Sequence, residues 1–126
     1  MRVLFLAILA ACTVACSEGG STYTWGMFSD ELSHVYCDGI GRCGLFNDDV
    51  DFRLCVEHTS WHLCEADRLC DTAINEAEAR ATLEPCSMAM SELEPEDESC
   101  YLLGYHGVLP SACSAIFDTR PYPTED

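Results

Sequence analysis

The run from Cys37 to Cys70, CDGIGRCGLFNDDVDFRLCVEHTSWHLCEADRLC, decides the fold, because it places five cysteines within 34 residues. Three more follow at Cys86, Cys100 and Cys113. Around them the apolar residues recur at helical rather than strand spacing. Ser29 is placed to cap a first helix over about residues 30–43, with Asp30 and Glu31 in the turn where the helix dipole favours acid. Leu32, Val35, Tyr36, Ile40 and Cys43 fall on one face of it, and Gly44 is a natural stop. Asn47 introduces a second helix over about 48–64, opened by Asp48, Asp49 and Asp51. It carries two apolar stripes, Phe52, Cys55, Val56, Thr59 and Leu63 on one side and Val50, Leu54 and Trp61 on the other. A helix apolar on both sides is expected at the centre of the packing.

A third helix starts at Asn75, which forms a capping box with Glu78, and Pro85 inside it predicts a kink or a split. ELEPEDE (92–98) reads as an acidic, proline-broken loop. The chain beyond Cys100 reads as irregular until a short helix at Pro110, with Cys113 and Phe117 inward. The expectation is an all-α, disulfide-braced single domain of three main helices plus a short C-terminal one, over residues 29–117. A loose tail follows at 118–126.

Spacing limits the cysteine pairing. Cys37 and Cys43 on one helix are separated by ~9 Å of rise, beyond a disulfide's reach. In an antiparallel hairpin of the first two helices, Cys37 and Cys55 lie at similar distances from the turn, which makes them the preferred bridge. Cys64 with Cys70 fits if the second helix stops at Cys64, and Cys86 with Cys100 would close a hairpin. Eight cysteines allow 105 pairings, so spacing narrows the choice without settling it. No C-x-x-C pair is present to favour zinc.

The first fifteen residues read as a signal peptide. Met1-Arg2 supplies a short basic start, and Val3 to Ala15 is apolar or small throughout. The end of this segment resembles the lipobox of bacterial lipoproteins, in which small residues precede the cysteine that becomes the lipidated N-terminus. Leu9-Ala10-Ala11-Cys12 matches that pattern more closely, whereas Thr13-Val14-Ala15-Cys16 gives a signal of ordinary length. Parity favours Cys16, since it leaves eight cysteines, enough for four disulfides. Residues 16–28 then form a lipidated tether, with Trp25 and Phe28 already packed on the domain. The resemblance implies export to a bacterial envelope, lipid-anchored at the outer membrane or periplasmic face. The alternative is an ordinary secretory signal and a soluble secreted protein. Either route leads to an oxidising compartment.

The pattern of Tyr36-Cys37, Cys43-Gly44, the helix around Cys55 and the closing Pro110-Ser111-Ala112-Cys113 also resembles small cysteine-rich lipoproteins of bacteria such as myxobacteria. That resemblance implies location and architecture and brings no activity with it.

Charge excludes one class of partner. The 126 residues hold 22 Asp and Glu, all from Glu18 onward, against six Arg, for a net charge of −16. Loss of Arg2 with the signal would take −16 to −17. Such a surface repels phosphate backbones, so no nucleic-acid partner is expected, and the membrane is reached through the lipid alone. No cofactor-binding motif stands out.

Two stretches carry candidate chemistry. His58 and His62, one helical turn apart, share a stripe with Asp51 and Glu65, and such a set can aim two imidazoles and a carboxylate at one divalent metal. Cys55-Val56-Glu57-His58 resembles the catalytic helix of secreted phospholipases A2, and Tyr36-Cys37-Asp38-Gly39-Ile40-Gly41 resembles their calcium loop. The sequence departs from that family at Thr59, where the calcium-binding Asp would stand. Without it the ester oxyanion lacks its stabilising ion. NDDVD (47–51) and ELEPEDE lack the glycine and terminal glutamate of an EF-hand. No serine sits in a G-x-S-x-G motif. The expected function is a non-enzymatic, envelope-tethered interaction or structural module of unknown partner. The alternative is a metal-binding or hydrolytic protein centred on His58 and His62.

Overall fold

A computed structural model describes residues 22–121. Cys12, Cys16, the signal segment and the tail from residue 122 lie outside the described residues. The fold is all-α and disulfide-braced. In order it comprises α1 (Trp25–Arg42), α2 (Asp49–Ser60), a π turn (Trp61–Glu65), α3 (Glu76–Ser91), α4 (Glu98–His106) and a 3₁₀ segment (Ser111–Thr119). Among the described residues the sole β contact is an isolated bridge from Thr24 to Ala73.

The organising element is α1, which starts five residues earlier than capping by Ser29 implied. Thr24 is the cap, and its Oγ1 accepts from the Met27 N–H. The two N–H groups ahead of Met27 are taken by a distant loop: Trp25 donates to the Thr72 carbonyl at 2.8 Å and Gly26 to Cys70 at 2.9 Å. Every opening donor of the helix therefore has a partner. With the start moved, Trp25, Phe28, Ser29, Leu32, Ser33 and Cys37 form one buried stripe at three-and-four spacing. Ser29 lies inside that stripe rather than at its edge.

The sequence reading placed α2 at the centre, and the structure corrects this. It is α1 that contacts α2, α3, α4 and the π turn. Leu54 is 54% exposed and Trp61 48% exposed, so these two residues of the second stripe face solvent. The physical reason lies in side-chain size. Ser29, Ser33 and Gly39 let neighbours approach α1 closely, whereas α2 offers larger groups and packs by one face only. The local caps are as expected in kind. Asp48, one residue beyond the anticipated Asn47, accepts from the Asp51 N–H, and Asn75 accepts from the Glu78 N–H.

Pro85 does not split α3, which runs unbroken from Glu76 to Ser91. Pro85 and Ala81, whose carbonyl would have received the missing N–H, are both exposed, so water can take the vacant acceptor. Residues 98–106, expected to be irregular, form α4. It ends at Gly107 in the left-handed conformation (φ 64°).

Four disulfides tie these elements together: Cys37–Cys55, Cys43–Cys100, Cys64–Cys70 and Cys86–Cys113. Cys37–Cys55 joins α1 to α2 as the hairpin argument required, and Cys64–Cys70 closes the turn after the π segment. The expected Cys86–Cys100 bridge does not form. Cys100 sits at the start of α4 and meets Cys43 at the end of α1, while Cys86 in mid-α3 meets the 3₁₀ segment. That segment winds at three residues per turn, so Cys113 and Ile116 point inward and Phe117 turns out, 56% exposed. The α-helical reading had placed Phe117 inside. The segment also extends into the region expected to be a loose tail: Thr119 Oγ1 donates to the Ile116 carbonyl, and Arg120 pairs with Asp67. Trp25 and Phe28, taken from sequence as packed, are 1% and 0% exposed.

Candidate functional site

The histidine pair sits at the end of α2. One helical turn brings the His58 and His62 rings to 4.4 Å between centroids, with Trp61 edge-on to His62 at 5.0 Å. Both histidines are exposed. Asp51, at the opposite end of α2, spends a carboxylate oxygen on the Asn47 N–H at 3.0 Å. Glu65 lies exposed on the π turn, beside a shallow depression shared with Asp30, Glu57 and Trp61. Among the described residues no three His, Cys, Asp or Glu side chains come together in a metal-holding group. The π turn contributes to this. Its wider winding, with Ala66 N–H bonded to the Trp61 carbonyl, breaks the α-helical stripe that would have aligned Glu65 with the histidines.

The resemblance to the phospholipase calcium loop falls on helix. Residues 36–41 lie within α1, with Cys37 and Gly39 buried, so their carbonyls serve the helix and no loop is present to hold an ion.

A second charged cluster is structural. Arg80 on α3 grips the Glu31 carboxylate with both guanidinium nitrogens, each at 3.1 Å, and reaches Glu76 at 3.2 Å. It also stands over the Tyr23 ring, 5.4 Å from its centroid. Burial, reinforced by the nearby Glu31 charge, raises the Tyr23 phenol above its ordinary value of 10.0. The pairs are solvent-exposed, so they orient α3 on α1 more than they stabilise it.

Two features away from the histidines set the molecule apart. One is a run of sequence without acidic or basic residues other than histidine. Ser99 to Phe117 contains no Asp, Glu, Lys or Arg, 19 residues in a chain with 22 acids. On this stretch Tyr105 is 74% exposed and Tyr101 55%, with their rings 5.1 Å apart. The His106 ring lies 5.4 Å from Tyr101. Leu45, from the loop after α1, packs against Gly104 and extends the face. The other feature is an apolar cavity of about 210 Å³ among α1, α2, α3 and the C-terminal segment. Leu32 and Tyr36, Thr59 and Leu63, Cys86 and Met90, and Gly107, Leu109, Ile116 and Phe117 line it.

Reading the sequence for titratable constellations missed both features. The signal for the first was present as the uncharged run itself. The cavity had no signal, since it arises from the 3₁₀ winding of residues whose apolar spacing also fits an α-helix.

Neither a protein-family model, nor a curated protein, nor a solved structure matches this chain.

Proposed function

We propose that this chain is an exported, envelope-anchored interaction module without catalysis of its own, and that it docks a protein partner through the tyrosine-bearing face of α4. The observation that carries the reading is that face. Tyr101, Tyr105 and Leu45 stand exposed on an acidic molecule, in a stretch from which charge is missing. Tyrosine supplies contact area at low entropic cost and tolerates both water and a partner, which makes it a frequent interface anchor. Asp97 and Glu98 stand at the start of α4 beside these tyrosines, so the fitting partner presents an apolar patch with a basic group at that end.

Export is supported by the four disulfides, which belong to an oxidising, extracytoplasmic environment. A lipid on Cys16 is supported by the small residues before it. The pairing agrees with this, since the eight downstream cysteines satisfy one another and none requires Cys16. Three acyl chains hold a protein at a membrane far more firmly than one.

The test is a photo-reactive residue placed at Tyr105 in intact cells, with the same group at exposed Met88 on α3 as the comparison. We expect a discrete protein adduct from position 105 that disappears with Tyr101→Ser, and none from 88. Equal labelling at both positions, or none at 105, would remove the docking face. Cys16→Ser should shift the protein to the soluble fraction with its eight downstream cysteines still oxidised. Continued membrane retention would remove the anchor.

A further inference from the structure

The cavity beside the 3₁₀ segment holds about 210 Å³. An engineered apolar cavity of ~150 Å³ stays dry and takes up benzene. Here the space is a product of the fold. Residues 113 and 117 share a face in an α-helix, and Phe117 would then fill the gap. The 3₁₀ winding sends the smaller Ile116 inward instead and leaves Phe117 at the mouth, lining the cavity while more than half exposed. The Cys86–Cys113 bridge ties the segment to α3 with a Cα separation of 4.4 Å, beside the cavity that Cys86 lines. Close packing is the norm in protein interiors, and a cavity of this size departs from it.

The wall defines the ligand. Leu32, Leu63, Met90 and Ile116 present apolar groups, and among the described residues no charged side chain lines the space. An anion would find no counter-charge there and would approach a chain of net charge −16. A cation would give up its water without a carboxylate in return. Two of the lining side chains, Tyr36 and Thr59, carry a hydroxyl. The Thr59 hydroxyl lies 3.8 Å and 3.9 Å from the sulfurs of Cys37 and Cys55, which are weak acceptors.

We propose that this cavity binds a small uncharged apolar molecule, an aromatic ring or short alkyl chain carrying at most one hydroxyl, which hydrogen-bonds to Thr59.

Three probes of common shape test this on the oxidised mature chain: toluene, benzyl alcohol and benzoate. Methyl NMR should show saturable shifts at Leu32, Leu63, Met90 and Ile116 with the first two and none with benzoate. Benzyl alcohol should bind more tightly than toluene relative to their water-to-hydrocarbon transfer, and Thr59→Val should erase that difference. Leu109→Trp, which places a larger ring at the cavity edge, should weaken toluene at least about tenfold while the remaining methyl spectrum stays dispersed. Should that variant fail to fold, the probe series on the native chain and on Thr59→Val still decides. Lack of saturable shifts with toluene would overturn the proposal. So would equal binding of benzoate, or shifts confined to the exposed methyls of Leu54 and Met88.

Discussion

At Gly26 the chain enters α1 against a carbonyl. A Cβ built there would lie 2.7 Å from the Cys70 oxygen, which is backbone and already accepts the Gly26 N–H. Gly26→Ala should therefore push the 70–72 loop away from the helix start and lower stability by about 1–3 kcal/mol, read as a lower urea midpoint at constant slope. An unchanged midpoint would mean that the loop gives freely. His58 and His62 make the opposite case. Their rings touch each other, and that of His62 also meets Trp61, yet both are exposed, so His58→Ala and His62→Ala should each shift stability by no more than about 0.5 kcal/mol. A larger loss in the same urea titration would show that the pair does structural work. Their adjacency was legible in the sequence because one helical turn separates them. Their exposure was not, because periodicity says which residues share a stripe and leaves open which stripe turns inward. Trp25 illustrates the same point. Its indole N–H donates to the Leu63 carbonyl at 2.8 Å, 38 residues away, and nothing adjacent to it in the chain announces that partner.

At the scale of elements, legibility follows the distance to the group that satisfies each helix end. Asn75 caps α3 through its own next turn, bonding the Glu78 N–H at 2.9 Å, and it was read correctly from four consecutive residues. The start of α1 was misread because Cys70 and Thr72, 44 and 47 residues further on, supply its acceptors. Two apolar stripes make α2 look central from sequence, because periodicity does not reveal that Leu54 and Trp61 stay exposed. The 3₁₀ segment failed for a related reason, since apolar residues at 113, 116 and 117 satisfy three- and four-residue spacing alike. Because the Asn75 cap is local, its contribution is separable from the rest of the fold. Asn75→Ala should cost about 1 kcal/mol and increase amide exchange in the first turn of α3, while leaving α1 and α2 protected. Uniform loss of protection across all helices would show that the cap supports more than its own helix. The all-α class itself was legible because helical spacing and helix-opening acids agree along most of the domain.

For the whole molecule the disulfides set the hierarchy of stability. Cys37–Cys55 and Cys64–Cys70 are short-range, at separations of 18 and 6, whereas Cys43–Cys100 and Cys86–Cys113 span 57 and 27. Cys43–Cys100 interlocks in sequence with both Cys37–Cys55 and Cys86–Cys113. Local spacing could point to the first two bridges. The two longer ones depend on where α4 and the 3₁₀ segment settle against α1 and α3, which no spacing rule contains. Together these two bridges tie the chain from Cys100 onward at two places to what precedes it, which holds α4 and the 3₁₀ segment in position. In the unfolded chain, Cys43–Cys100 closes a loop with a separation of 57 residues and Cys64–Cys70 one of 6. Loop-closure entropy assigns the first ~4 kcal/mol and the second ~2 kcal/mol. The double variant Cys43→Ala/Cys100→Ala should therefore lose about 2 kcal/mol more than Cys64→Ala/Cys70→Ala in urea unfolding. It should also release α4, so that the tyrosines on its outer face gain amide exchange and the Gly104–Leu45 contact loosens. The short-loop variant should leave α4 unchanged. Equal losses from the two variants, with α4 equally protected in both, would mean that packing of buried Leu103 rather than the covalent tie holds the face in place.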